Sequence, residues 1–196
     1  MSKYYFLCTI DMNNGTLHNK YLDIKNIALP NEINESTTEI YINGKKYKFK
    51  NYYHIRIKIK SEISNFKYLF CGCPAIKSIN FISMNTEKVT NMTGMFAYCS
   101  NLKDLNFQNF NTSNVTDMSN MFLNCSSLST LCLNNFNTSK VTDMSNIFRG
   151  CFSLTNLDFY NFKLNNVKNM SGAFANCYNL KEINFPYESD ENLNKF

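Results

Sequence analysis

The stretch VTDMSNMFLNCSSLSTLCLNNFNTSK, residues 115–140, decides the reading of this chain because it recurs. A shift of 26 residues lays VTNMTGMFAYCSNLKDLNFQNFNTSN (89–114) and VTDMSNIFRGCFSLTNLDFYNFKLNN (141–166) on it without a gap. One more step on each side adds ISNFKYLFCGCPAIKSINFISMNTEK (63–88) and VKNMSGAFANCYNLKEINF (167–185). Self-similarity at a fixed period marks a chain built from copies of one small unit. A single such unit cannot bury its apolar face, but stacked copies close a continuous core.

Each unit has two halves with different apolar periods. Val115, Met118, Met121, Phe122 and Cys125 fall at i, i+3, i+6, i+7 and i+10, which predicts one face of a short helix. Thr116 would cap it, with Asp117 and Ser119 in its first turn where carboxylates suit the helix dipole. Leu128, Leu131 and Leu133 follow with the spacing L-x-x-L-x-L, whose last three residues alternate as in a strand. The same columns run through every unit: Phe70, Phe96, Phe122, Phe148 and Phe174 form one, and Ile79, Leu105, Leu131, Leu157 and Ile183 another.

The string NTSNVTDMSNMF (111–122), followed by the C-S-S-L-x-x-L-x-L-x-x-F-N-T pattern to Thr138, resembles the BspA-type leucine-rich repeat. The resemblance covers residues 63–185. It implies a leucine-rich-repeat-like α/β solenoid of five 26-residue units, with a parallel sheet on one face and short helices on the other. Proteins with this repeat are surface-exposed, adhesive or partner-binding, and they have no catalytic residues to carry over. This chain departs from them in lacking a clear secretion signal or wall anchor.

Three regions follow. Residues 1–62 form a β-rich N-terminal cap, 63–185 the repeats, and 186–196 a short acidic tail expected to fray. Asn43-Gly44 between two alternating runs predicts a type I′ hairpin, and a second hairpin is expected about Asn13-Asn14-Gly15. The run from His54 to Lys60 alternates cleanly and leads into the first unit.

The formal net charge is +5, and its basic excess lies in the first 60 residues, which hold ten Lys/Arg against five acids. Lys45, Lys46, Lys48, Lys50, Arg56, Lys58 and Lys60 alternate with Tyr, Phe and Ile. Such a patch suits nucleic acid or an anionic membrane. The period-2 spacing favours the plainer reading, a solvated strand face. The apolar run Tyr4–Ile10 ends at Asp11 with no small-residue cleavage site after it, and no stretch reaches the length of a membrane span. The sequence as written therefore reads as intracellular, with the cell surface as the alternative that the resemblance implies.

Candidate chemistry is sparse. Of eight cysteines, Cys73, Cys99, Cys125, Cys151 and Cys177 share one apolar column, where packing explains them better than disulfides. Cys71-Gly72-Cys73 is C-x-C without a second pair or a nearby His, so no metal or cofactor is expected. His18 and His54 belong to no nucleophile motif. Asp117 and Asp143 recur with the repeat and are read as helix-start charges, not a catalytic pair. The Asn-x-Ser/Thr triplets arise from the repeat, and Asn85, Asn111 and Asn137 predict a hydrogen-bonded ladder.

What remains is the outward face of the predicted sheet. Ser78, Asn80, Asp104, Asn106, Thr130, Cys132, Asn156, Asp158, Glu182 and Asn184 form a polar strip. Cys132 there is a candidate exposed thiol. The expected function is a non-catalytic interaction or structural module that docks another protein on this strip, within a larger assembly. The alternatives are an exported surface adhesin, or a binder of nucleic acid or anionic membrane through the basic N-terminal segment.

Overall fold

A computed structural model of the protein describes residues 64–74, 76–83, 85–108 and 110–185, with five upstream strands described as backbone. Those strands are β1 (Tyr4–Asp11), β2 (Ile27–Ala28), β3 (Ile40–Ile42), β4 (Lys45–Tyr47) and β5 (Tyr52–Ile59). Downstream lie β6 (Ile76–Ser83), β7 (Asp104–Asn106), β8 (Asn156–Asp158) and β9 (Glu182–Asn184). One sheet has the order β2-β5-β1-β6-β7; β3-β4 and β8-β9 form two separate pairs. β1 runs antiparallel to both β5 and β6, whereas β6-β7 and β8-β9 are parallel. β3 and β4 pair antiparallel about Asn43-Gly44, with Ile42 opposite Lys45. The turn at Asn13-Asn14-Gly15 and the acidic tail lie outside the described residues.

No described residue is helical, and this corrects the predicted α/β solenoid. The first half of each unit is a run of consecutive turns. Its cause is backbone handedness at two fixed positions. The first is held by Tyr68, Gly94, Asn120, Asn146 and Gly172, the second by Gly72, Tyr98, Asn124, Gly150 and Asn176, all with φ between 52° and 74°. A left-handed residue every fourth position cannot propagate a right-handed helix. Glycine adopts it freely and asparagine more readily than most residues.

The hydrogen bonds follow from that geometry. Each unit closes i+3→i turns, such as Met121 N–H to Met118 O at 3.3 Å and Cys125 N–H to Phe122 O at 3.1 Å. The alternate amides point along the stack. Met118, Asn120, Phe122 and Asn124 donate to the carbonyls of Asp143, Ser145, Ile147 and Arg149 in the next unit, at 2.7–2.9 Å. In the first four units the alternate amides thus bond to the neighbouring unit, and amides between them close local turns, in place of the i−4 bonds of a helix.

The predicted five-stranded parallel sheet is also absent among the described residues. The ladder exists only as β6-β7 and β8-β9, and residues 128–133 between them form no strand. In that gap Thr155 N–H still reaches Ser129 O at 3.2 Å, but the paired residues needed for a ladder are missing. The second half of the unit is thus loosely joined, while the turn half is continuously bonded.

Side-chain columns fill the interior. Phe70, Phe96, Phe122 and Phe148 are buried and stacked nearly face to face, with centroids 5.4–5.6 Å apart. Phe81, Phe107 and Phe159 meet them edge-on. Edge-to-face pairs add roughly 0.5–1.5 kcal/mol each beyond area burial. Met92, Met118 and Met144 fill the adjoining column.

Candidate functional site

The polar residues of the outward face are placed as follows. Asn80, Asp104, Asn106, Thr130, Cys132, Asn156, Asp158, Glu182 and Asn184 are exposed, and Ser78 is half-buried. β6-β7 brings Ser78 beside Asp104 and Asn80 beside Asn106; β8-β9 brings Asn156 beside Glu182 and Asp158 beside Asn184. Thr130 and Cys132 join neither ladder. They line a shallow hollow of about 300 Å³ with Leu131, Asn156, Leu157, Asp158 and Asn184. The strip is therefore two short segments separated by a hollow, and not one sheet surface. The docking function that depended on a leucine-rich-repeat solenoid falls with that architecture, as does its adhesin alternative. The side chains of the basic N-terminal segment, on which the nucleic-acid and membrane alternative rested, lie outside the described residues.

Asp117 and Asp143 do not start helices. Their Oδ1 atoms accept the amides of Ser119 and Ser145 two residues on, at 2.9 and 2.8 Å. Asn65, Asn91 and Asn169 do the same for Lys67, Thr93 and Ser171. These are Asx turns, in which a short side chain mimics a turn of backbone. The five residues stack through parallel bridges. Asn85, Asn111 and Asn137 make a second such column, each bonding the amide two residues on and not its neighbour in the stack. Between units, Thr86 and Thr112 hydroxyls donate to the carbonyls of Asn111 and Asn137 and accept the same residues' amides.

The cysteine column has a specific role. The thiols of Cys99, Cys125, Cys151 and Cys177 donate to the carbonyls of Phe70, Phe96, Phe122 and Phe148 at 3.0–3.1 Å. All seven described cysteines are free. Burial pushes the Cys125 and Cys151 thiols up, with the neighbouring column cysteines adding to the rise. Burial likewise raises Cys71. Cys132 is exposed. Among the described residues, no group of three or more His, Cys, Asp or Glu is placed to hold a metal ion. No helix among them is long and apolar enough to cross a membrane.

The structure also exposes residues that the apolar columns do not reveal. Phe152 and Tyr178 are 42% and 77% exposed, stacked at 5.7 Å with their planes 6° apart. Tyr178 Oη also lies 3.1 Å from Asn176 Oδ1, to which it donates. Tyr98 and Tyr160 are exposed as well. A signal for the pair was available: the same repeat position holds Ser100 and Ser126 in the two preceding units, so the aromatic pair is a departure from the pattern.

Residues 61–185 match the family described as "Mycoplasma protein of unknown function, DUF285". The match spans well over half of the chain, and the chain belongs to this family. Membership of the BspA-type leucine-rich-repeat family is corrected accordingly. The L-x-x-L-x-L run that suggested it sits beside turns, where the resemblance implied helices. No curated protein and no solved structure matches the chain.

Proposed function

We propose that this family member is a non-enzymatic module that binds another protein, with the stacked Phe152–Tyr178 pair as its anchor. The pair itself carries the reading. Two large exposed rings held parallel offer contact area at little entropic cost, because their stacking already restricts them. Such aromatic anchors dominate the energetics of protein interfaces. A non-enzymatic role is supported by how the polar groups are used. The repeating carboxylates accept turn amides, and the column thiols donate to carbonyls.

The same proposal places the protein inside the cell. It is supported by the exposed free thiol of Cys132 and the reduced thiol column, which suit a reducing compartment.

The test uses Phe152→Ser with Tyr178→Ser, the residue type that the stack already accepts at Ser100 and Ser126. Quantitative affinity capture from native cells compares the double variant with the parent chain. Loss of one stoichiometric partner, with unchanged thermal unfolding, supports the reading. Equal recovery of every partner by both forms rejects it.

A further inference from the structure

The 26-residue period continues past Phe185, into residues outside the described ones. From Phe159 the chain takes eight positions to Val167 and three more to Met170; from Phe185 the same steps reach Leu193 and Phe196. Leu193 thereby continues the column of Val89, Val115, Val141 and Val167, and Phe196 that of Phe66, Met92, Met118, Met144 and Met170. Phe66, buried at the other end, shows that this column accepts phenylalanine. Asn192 falls in register with Asn114 and Asn166, whose Nδ2 atoms donate to the carbonyls of Glu87 and Ser139 in the preceding unit.

The fifth unit holds the groups that such a segment would meet. Within the stack the amides of Thr116, Thr142 and Lys168 donate to the carbonyls of Thr90, Thr116 and Thr142, each one unit earlier, at 2.8–2.9 Å. The carbonyl of Lys168 accepts no hydrogen bond. Two residues on, the amides of Met118 and Met144 donate forward to Asp143 and Asn169, but those of Met170, Gly172 and Asn176 make no hydrogen bond. Val167 and Met170 are nonetheless buried, while Phe174, Cys177, Leu180 and Ile183 farther along the unit are half-buried.

We propose that the chain's own residues 192–196 dock on this end of the stack as the first turn of a sixth unit. Leu193 packs on Val167 and Phe196 on Met170. The amide of Asn194 donates to Lys168 O, and Lys195 O accepts the Met170 amide. This is the turn geometry, in the same register, that joins the units within the stack. The acidic residues before it suit an end position. Glu188 and Asp190 stand where Phe162 and Leu164 are buried one unit earlier, and a capping unit needs a polar outer side. A second copy would offer Asn65 and Phe66 at the positions of Lys195 and Phe196, but its Phe66 is already buried in its own fold. The tail is tethered at Phe185 by the spacing that each unit uses, which gives it an effective concentration on the order of millimolar. The proposal goes beyond the protein-binding reading and does not depend on it.

NMR of the full chain tests this, on the parent and on a Leu193→Ser, Phe196→Ser double variant. In the parent, nuclear Overhauser contacts are expected between the Phe196 ring and the Met170 methyl group. Amide hydrogen exchange at Met170 should be about ten-fold or more faster in the variant, with Met118 in the middle of the stack unchanged as the sign of an intact fold. Dilution should leave the parent's exchange unaltered. Absence of the ring–methyl contact overturns the proposal, and that measurement decides even if the variant unfolds. Equal Met170 exchange in the two forms overturns it as well. Protection of Met170 that grows with protein concentration overturns it in favour of a second copy.

Discussion

The thiol of Cys125 donates a hydrogen bond to the carbonyl of Phe96, 29 positions earlier, at 3.1 Å. The same bond recurs at Cys99, Cys151 and Cys177, so the column is a set of interior ties between units. Cys125→Ala removes both the donor and the sulfur volume from a fully buried site. Urea denaturation should show a loss of about 1–3 kcal/mol. An unchanged midpoint would mean that the thiol is a passive filler.

The same column makes stability depend on pH. Burial raises the Cys125 and Cys151 thiols, so the folded protein keeps them protonated where the unfolded chain ionises. Their contribution is complete below the ordinary thiol value of 9.0 and is lost as pH rises above it. Urea midpoints measured at neutral pH and near pH 10 should therefore fall, and fall less in Cys151→Ala. An equal fall in the variant would place the dependence on other groups.

Backbone handedness predicts unequal costs for two glycines. Gly150 has φ +74°, and a Cβ there would overlap Asn124 Oδ1. Gly72 has φ +70°, with nothing within 4 Å of the same atom. Each Gly→Ala change forces an L-residue into the left-handed region, at a cost of about 1–2 kcal/mol. Gly150→Ala should cost more because Asn124 must also move. Thermal melts of the two variants would refute this if their order were reversed.

Thr93 carries a buried hydroxyl with no hydrogen-bond partner. At the same repeat position Ser119 and Ser171 hydroxyls donate to their own Asx side chains at 2.7 and 2.8 Å. Thr93→Val removes the unsatisfied group at almost constant shape, and should raise stability by roughly 1 kcal/mol. A drop in the denaturation midpoint would show that the hydroxyl is solvated or bonded in solution.

Much of the interior is legible in the residues alone. The 26-residue period aligns the Phe, Met and Cys columns because each unit covers the apolar face of the next, a one-dimensional constraint that the pattern records directly. Apolar spacing does not distinguish a helix from a chain of turns when both present one side inward. The distinguishing signal lay elsewhere, in Gly94, Asn120, Asn146 and Gly172 at one position and Gly72, Asn124, Gly150 and Asn176 at another. Tyr68 and Tyr98 interrupt those two columns and obscure it.

By itself, the sequence determined which residues are buried against their copies, because periodic hydrophobicity is a property of the chain. The tertiary structure decided where the amides point, and that set everything else. Left-handed residues turn alternate N–H groups toward the neighbouring unit, so helices give way to turns and Asp117 and Asp143 become turn acceptors. The same geometry ends the stack on unbonded donors at Gly172 and Asn176. Hydrogen-bond direction depends on which chain segment lies alongside, and only the assembled stack supplies that neighbour.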